Sequence, residues 1–312
     1  MSLERVCDLI NQHRVDQENV YLLLDPVVSC NARHPLSIPS LTKALGNEAV
    51  VRVARADMVN TPELWPALVC LARPEEDMPE QASFSGEHAA MESAENRRYV
   101  CGWLLSEQSS EVIASHIAQE CQTLRPACKE TFAPWFEPAR LALLHSATKK
   151  AGEALGPIRS WLYPDARGDA IQIVGLPPPD QRVIPAIVRD VQIFTPHVIQ
   201  LLAAWRRLNS SKHAYAPDCY TGSRGLPEQA PSYAFNFIHE VHQQGLRDSA
   251  DVQCLCLHMA MIHPHLLLHP TIQNDVAQAV AGKQQLVSRF ATYDDYAWQQ
   301  IVAALPPARS HS

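Results

Sequence analysis

The sequence predicts an α/β N-terminal lobe, built on a small mixed sheet with flanking helices, followed by an all-α C-terminal lobe. Three observations carry this. Apolar runs of strand length recur through the first half of the chain and stop after Ala170-Ile171-Gln172-Ile173-Val174. Leu176-Pro177-Pro178-Pro179-Asp180 is the stiffest punctuation in the chain, and proline-rich segments of this kind act as semi-rigid spacers. Beyond it only helical periodicity remains. The boundary therefore falls in 176–184 and gives two domains, 1–176 and 184–312.

In order, Leu3 to His13 places Leu3, Val6, Cys7 and Ile10 on one helical face. Val20-Tyr21-Leu22-Leu23-Leu24 reads as a buried strand stopped by Asp25-Pro26. Val50 to Arg55 alternates as a strand does. Leu64 to Leu71 is apolar, and Pro66 within it predicts an edge strand or an extended segment. Arg73 to Asn96 is polar and acidic, a surface loop with a short helix near Glu87–Asn96. The block from Arg98 to Asp165 then reads strand, helix, strand, helix, strand. Tyr99 to Leu105 is the first strand, and Ser109 to Leu124 is a helix that Ser109 or Ser110 can cap. Thr131-Phe132-Ala133-Pro134-Trp135-Phe136 is the second strand, and Ile158 to Pro164 closes the block. Helical patterns follow at Val188–Leu208, Ser232–Leu246, Ala250–Ile262, Thr271–Phe290 and Asp294–Leu305, with a long connection from Asn209 to Pro231.

Composition excludes several function classes. A chain of 312 residues with 46% hydrophobic and 19% charged residues can bury a sizeable core. A net charge of −7, with Arg206-Arg207 in its most basic stretch, leaves no stripe to neutralise phosphates, so no nucleic-acid partner is expected. No apolar run approaches the ~20 residues of a membrane span. Met1 to Arg5 has an acid and no apolar block, which predicts no secretory signal and a cytoplasmic address. Nine cysteines without a framework spacing read as reduced core thiols.

Chemistry-bearing patterns are sparse, and no cofactor is expected. His258, His263, His265 and His269 crowd near Cys254 and Cys256, but Cys254-x-Cys256 is too tight for a zinc knuckle and Pro264 and Pro270 interrupt the rest. Gly222-Ser223-Arg224-Gly225 misses the nucleophile-elbow pattern by a position. The adjacent acids Asp294-Asp295 and Glu75-Glu76-Asp77 read as helix-start or solvated charges. There is no phosphate loop, dinucleotide fingerprint or H-E-x-x-H. Glu137 and Arg140 follow Trp135-Phe136 and admit two readings. In one, Glu137-Pro138 starts a helix, with the acid at its positive end and Arg140 pairing locally. In the other, Trp135, Phe136, Glu137 and Arg140 form an anchor at a partner surface.

Several short motifs, in order, carry a resemblance. They are Tyr21-Leu22-Leu23-Leu24-Asp25, the proline-containing segment Leu64 to Val69, Gly102-Trp103-Leu104-Leu105-Ser106, and a helix bearing His116. Trp135-Phe136-Glu137-Pro138-Ala139-Arg140 and Gly156-Pro157-Ile158-Arg159-Ser160-Trp161-Leu162-Tyr163-Pro164 complete the series. Over about residues 20–165 this resembles a bacterial family catalogued as domain of unknown function 4123, whose members are type VI secretion effector adaptors, or chaperones. The chain departs from the family pattern with Glu137 for an aspartate and with Ile117-Ala118 after the histidine. The resemblance implies a non-enzymatic, cytoplasmic adaptor. Its partners would be a type VI effector, a toxin, and the valine-glycine repeat spike protein (VgrG) onto which the toxin is loaded. Two other readings stay open: an enzyme using the Cys/His-rich helical lobe, and a toxin-neutralising immunity protein.

Overall fold

The apolar run after Glu18 becomes β1 (Asn19–Leu24), an interior strand of a six-stranded sheet. The computed structural model describes residues 3–92, 95, 97–124, 132–148, 150–166, 168–177, 184–209, 226–227 and 229–307. Besides β1 the sheet contains β2 (Val50–Arg52), β3 (Ala67–Ala72), β4 (Val100–Ser106), β5 (Ser160–Pro164) and β6 (Ala170–Val174), in the order β2-β3-β1-β4-β5-β6. Every neighbouring pair is antiparallel, so the expected mixed sheet is corrected to an antiparallel one.

Both faces of the sheet are covered, which is why its strands read as unbroken apolar runs rather than alternating ones. Tyr21 and Leu23 point to one side, where they meet Ile113 and Ile117 of α4 (Ser110–Thr123) and Leu141 of α5 (Pro138–Ala147). Val20, Leu22 and Leu24 point to the other. There they join Val6 and Ile10 of α1 (Leu3–His13), Leu41 of α2 (Ile38–Leu45) and Ala82 of α3 (Glu80–Met91). The side chain of Leu3 lies outside the described residues.

Glycine is required at two places. Gly102 in β4 has φ +141°, and a Cβ there would drive into the Leu162 carbonyl and the Trp161 indole. Gly156 (φ +53°) gives way to the His116 ring, whose Nε2 lies 2.9 Å from the Ala154 carbonyl.

Several local expectations are corrected. Residues Phe132 to Phe136 form no strand; Pro134 cannot donate to a ladder, and the segment fills the core as a buried loop (Thr131 lies outside the described residues). Pro66 precedes β3 rather than interrupting it, so β3 is an interior strand. The alternation read from Val50 to Arg55 is only three residues of strand, and the Pro66 carbonyl accepts from Val53 N at 2.8 Å just past its end. The helix expected near Glu87–Asn96 is α3, which starts earlier and ends at Met91; Asn96 lies outside the described residues. Ser109 is the N-cap of α4, but its hydroxyl accepts no capping bond.

The chain divides into two compact units, Met1–Ile193 and Phe194–Ser312. The division falls inside α6 (Ala186–Asn209), some residues beyond the boundary read from the sequence; positions 178–180 of the proline-rich punctuation lie outside the described residues. The described residues of the second unit contain helices and no strand: α7 (Ala230–Gln243), α8 (Ser249–Met261), α9 (Pro270–Val280), α10 (Leu286–Phe290) and α11 (Asp295–Ala303) follow α6. The pattern expected to run from Thr271 to Phe290 as one helix is split, with Gly282 at φ +68° between α9 and α10. Among the described residues no helix is long and apolar enough to cross a membrane.

Candidate functional site

The four residues singled out as a partner anchor lie inside the first unit. Trp135 is 1% exposed and Phe136 is fully buried. Trp135 meets Trp161 edge to face at 5.2 Å and donates from Nε1 to the Ile117 carbonyl at 3.4 Å. Glu137 is the N-cap of α5, and Pro138 takes the first helical position as the sequence predicts. The Glu137 carboxylate makes no capping bond; it accepts from Arg140 Nε at 3.0 Å. Arg140, itself buried, reaches on to the Gln192 carbonyl at 2.8 Å and the Gln192 Oε1 at 2.9 Å. The local pairing therefore forms, and the aromatic pair gives a partner no surface.

A second polar group sits at the C-terminal end of β1. Asp25 is buried, and its carboxylate accepts from Val27 N at 3.1 Å. Burial pushes this carboxyl up to about 6; the Val27 amide opposes that, nearby Glu137 adds to it, and Arg55 and Arg97 pull it back. Arg55 is clamped on Asp57 by bonds of 3.2 and 2.8 Å and lies over the Phe132 ring at 4.5 Å. No sequence signal marks this grouping, because Asp25, Arg55, Glu137 and Gln192 come from separate segments with no shared spacing.

The histidine- and cysteine-rich stretch belongs to the second unit. Cys254 and His258 lie one turn apart on α8, with Sγ 3.8 Å from Nδ1. That Nδ1 is also 2.7 Å from the Cys254 carbonyl oxygen. A carbonyl only accepts, so Nδ1 carries a proton and has no lone pair for the thiol. Burial, with Asp251 adding to it, pushes the Cys254 thiol up to about 11, and burial lowers His258. Both groups are held neutral, the reverse of an activated thiolate–imidazolium pair. His263 and His265 stand 5.6 Å apart by ring centroid, and His269 caps α9 by accepting from Thr271 N. No group of three or more His, Cys, Asp or Glu among the described residues is placed to share a metal ion. Asp294 caps α11, and Glu76 accepts from Arg73 N at 2.7 Å to close a turn. Positions 222–225, which carry the near-elbow pattern, lie outside the described residues.

Cavities of ligand size among the described residues include a shallow one of about 520 Å³ beside His116 and Pro157 and two larger ones. One, of about 650 Å³ at the β1–β3 end of the sheet, is polar, and its acids Glu48, Glu107 and Glu111 are exposed and solvated. Its Tyr21 hydroxyl donates to the Gln108 carbonyl at 2.6 Å, and burial pushes that phenol up to about 12. The other, of about 600 Å³, is mostly apolar and runs along α8. Leu257, Met261 and Ile262 line it with Trp298 of α11 and Leu208 of α6, and Cys254 and His258 form part of its wall. This is the candidate site. A sequence signal for Leu257 and Met261 exists: from Val252 to Met261 only Gln253 and His258 are polar, so apolar residues are not confined to one face of the helix.

No protein-family model, no curated protein and no solved structure matches this chain.

Proposed function

We propose that this protein is a non-enzymatic adaptor, or chaperone, that binds a type VI secretion effector in the producing bacterial cell and helps load that toxin onto the VgrG spike. The observation that carries the reading is the mostly apolar α8 groove, with its Cys254–His258 pair neutral and turned away from chemistry. Such a surface suits holding the side chains of another protein. The ordered motifs behind the family resemblance add to this. Residues far apart in sequence, Asp25 with Glu137 and His116 with Gly156, come together in the fold. The enzyme reading would need Cys254 as a nucleophile, and the protonated Nδ1 of His258 opposes it.

The test is affinity capture of the tagged full chain from its native host, with the secretion genes expressed, read by mass spectrometry. The adaptor reading expects the spike protein together with a large toxin. Recovery of the toxin alone would make the protein an immunity factor, and recovery of neither would overturn the proposal.

A further inference from the structure

A helix buries an apolar stripe and leaves the rest of its circumference polar unless something covers it. In α8 the inner face, with Val252, Leu255, Cys256 and Met259, is buried within the second unit. The groove face is Ala250, Cys254, Leu257, His258, Met261 and Ile262, with Met261 and Ile262 buried at its floor. These positions follow the 3–4 alternation of a single helical stripe from the first turn of α8 to just past its last. At ~1.5 Å per residue the stripe is roughly 18 Å long. Trp298 and Tyr293 wall the groove on the α11 side.

Most polar groups in the groove are already engaged. Gln253 donates to the His197 carbonyl at 3.0 Å, His258 donates to the Cys254 carbonyl, and the Tyr293 hydroxyl donates to Asp275. Asp295, at the exposed first turn of α11, makes no ion pair or hydrogen bond among the described residues. It is the one charged side chain on the lining. The second unit carries 8 Lys and Arg against 8 Asp and Glu, so this is a local charge rather than part of an acidic field.

We infer that the groove receives an amphipathic α-helix of the partner, three to four turns long, with its apolar stripe against α8 and a lysine or arginine set against Asp295. This rests on the adaptor reading for the partner's identity, but not for its chemistry. The length and straightness of the stripe fit a helix packing ridges into grooves, and the unpaired carboxylate selects a cation.

The test uses the full chain and a labelled 16-residue alanine-rich peptide with leucines at i, i+4, i+7 and i+11 and lysines on one flank. Two comparators share its design, one with the leucine positions scrambled and one with glutamate for lysine. Fluorescence anisotropy should show the patterned lysine peptide binding at least about tenfold more tightly than either comparator. Leu257→Arg should weaken it by about 30-fold, the loss typical of a central interface residue. Asp295→Lys, at an exposed position in the first turn of α11, should invert the preference between lysine and glutamate peptides, with Asp295→Asn as the variant that removes the charge without placing a cation at the helix start. Equal binding of patterned and scrambled peptides, no binding of the lysine peptide, or an unchanged preference in Asp295→Lys would overturn the inference. So would concentration-dependent self-association abolished by Leu257→Arg, which would make a second copy the occupant. Peptide binding without capture of spike or toxin would retain the groove assignment and reject the adaptor, and the opposite pair of results would do the reverse.

Discussion

Replacing Asp25 by asparagine keeps the acceptor for Val27 N and removes a carboxylate from the interior of the first unit. In the folded chain the Asp25 carboxyl is pushed up to about 6 from its usual 3.8, first by burial and then by Glu137. The folded state therefore holds this proton more tightly than the unfolded state. Stability from this group is fully present below about pH 4 and is lost as pH rises through about 6. At about 1.4 kcal/mol per pH unit, the gap makes the ionised carboxylate cost about 3 kcal/mol at neutral pH. Asp25→Asn removes that cost. Urea unfolding of wild type and variant at pH 4, 6 and 8 should show little difference at the lowest pH and a gain approaching about 3 kcal/mol at the highest. Taking the difference between the two proteins cancels the other titrating groups. A variant equally or less stable than wild type at pH 8, or one with the same gain at pH 4 and pH 8, would refute the reasoning.

Gly102→Ala forces a Cβ into the Leu162 carbonyl and the Trp161 indole at φ +141°, and thermal melts should show a loss of about 3 kcal/mol. Arg140→Ala strips the partner from Glu137 and from the Gln192 carbonyl, which should cost about 3 kcal/mol in denaturant titrations; lysine, lacking the guanidinium fork, should not restore it. Trp135→Ala should cost about 3–5 kcal/mol as a core truncation, while Trp135→Phe should leave capture of partners unchanged, since the ring is buried. Iodoacetamide modification of Cys254, followed by peptide mapping, should be slower at pH 7.5 than for a free thiol and keep rising toward pH 11. A plateau near pH 7 would revive the nucleophile reading.

The strands that cross the middle of the sheet were legible because two-sided burial writes an unbroken apolar run, as in Val20 to Leu24. That same run says nothing about strand direction, so the mixed sheet was expected and an antiparallel one is found. Phe132 to Phe136 has a strand's composition because it is buried; only Pro134 hints that its backbone pairs with nothing in the sheet. The helices of the second unit were readable from their periodicity, and a single glycine, Gly282, separates two that looked like one. The candidate groove was half legible. The apolar richness of α8 lies in plain sequence, but its cysteines and histidine point to chemistry that the hydrogen bond of His258 Nδ1 argues against. Asp25 read as the stop of a strand; its place beside Glu137 is set by tertiary packing alone.

The most direct test of the adaptor claim is to delete the gene and follow secretion in the native host. The account predicts that the spike protein still reaches the medium while its toxin does not, and that the wild-type gene restores the toxin whereas one carrying Leu257→Arg does not. Toxin secretion undiminished by the deletion would contradict it.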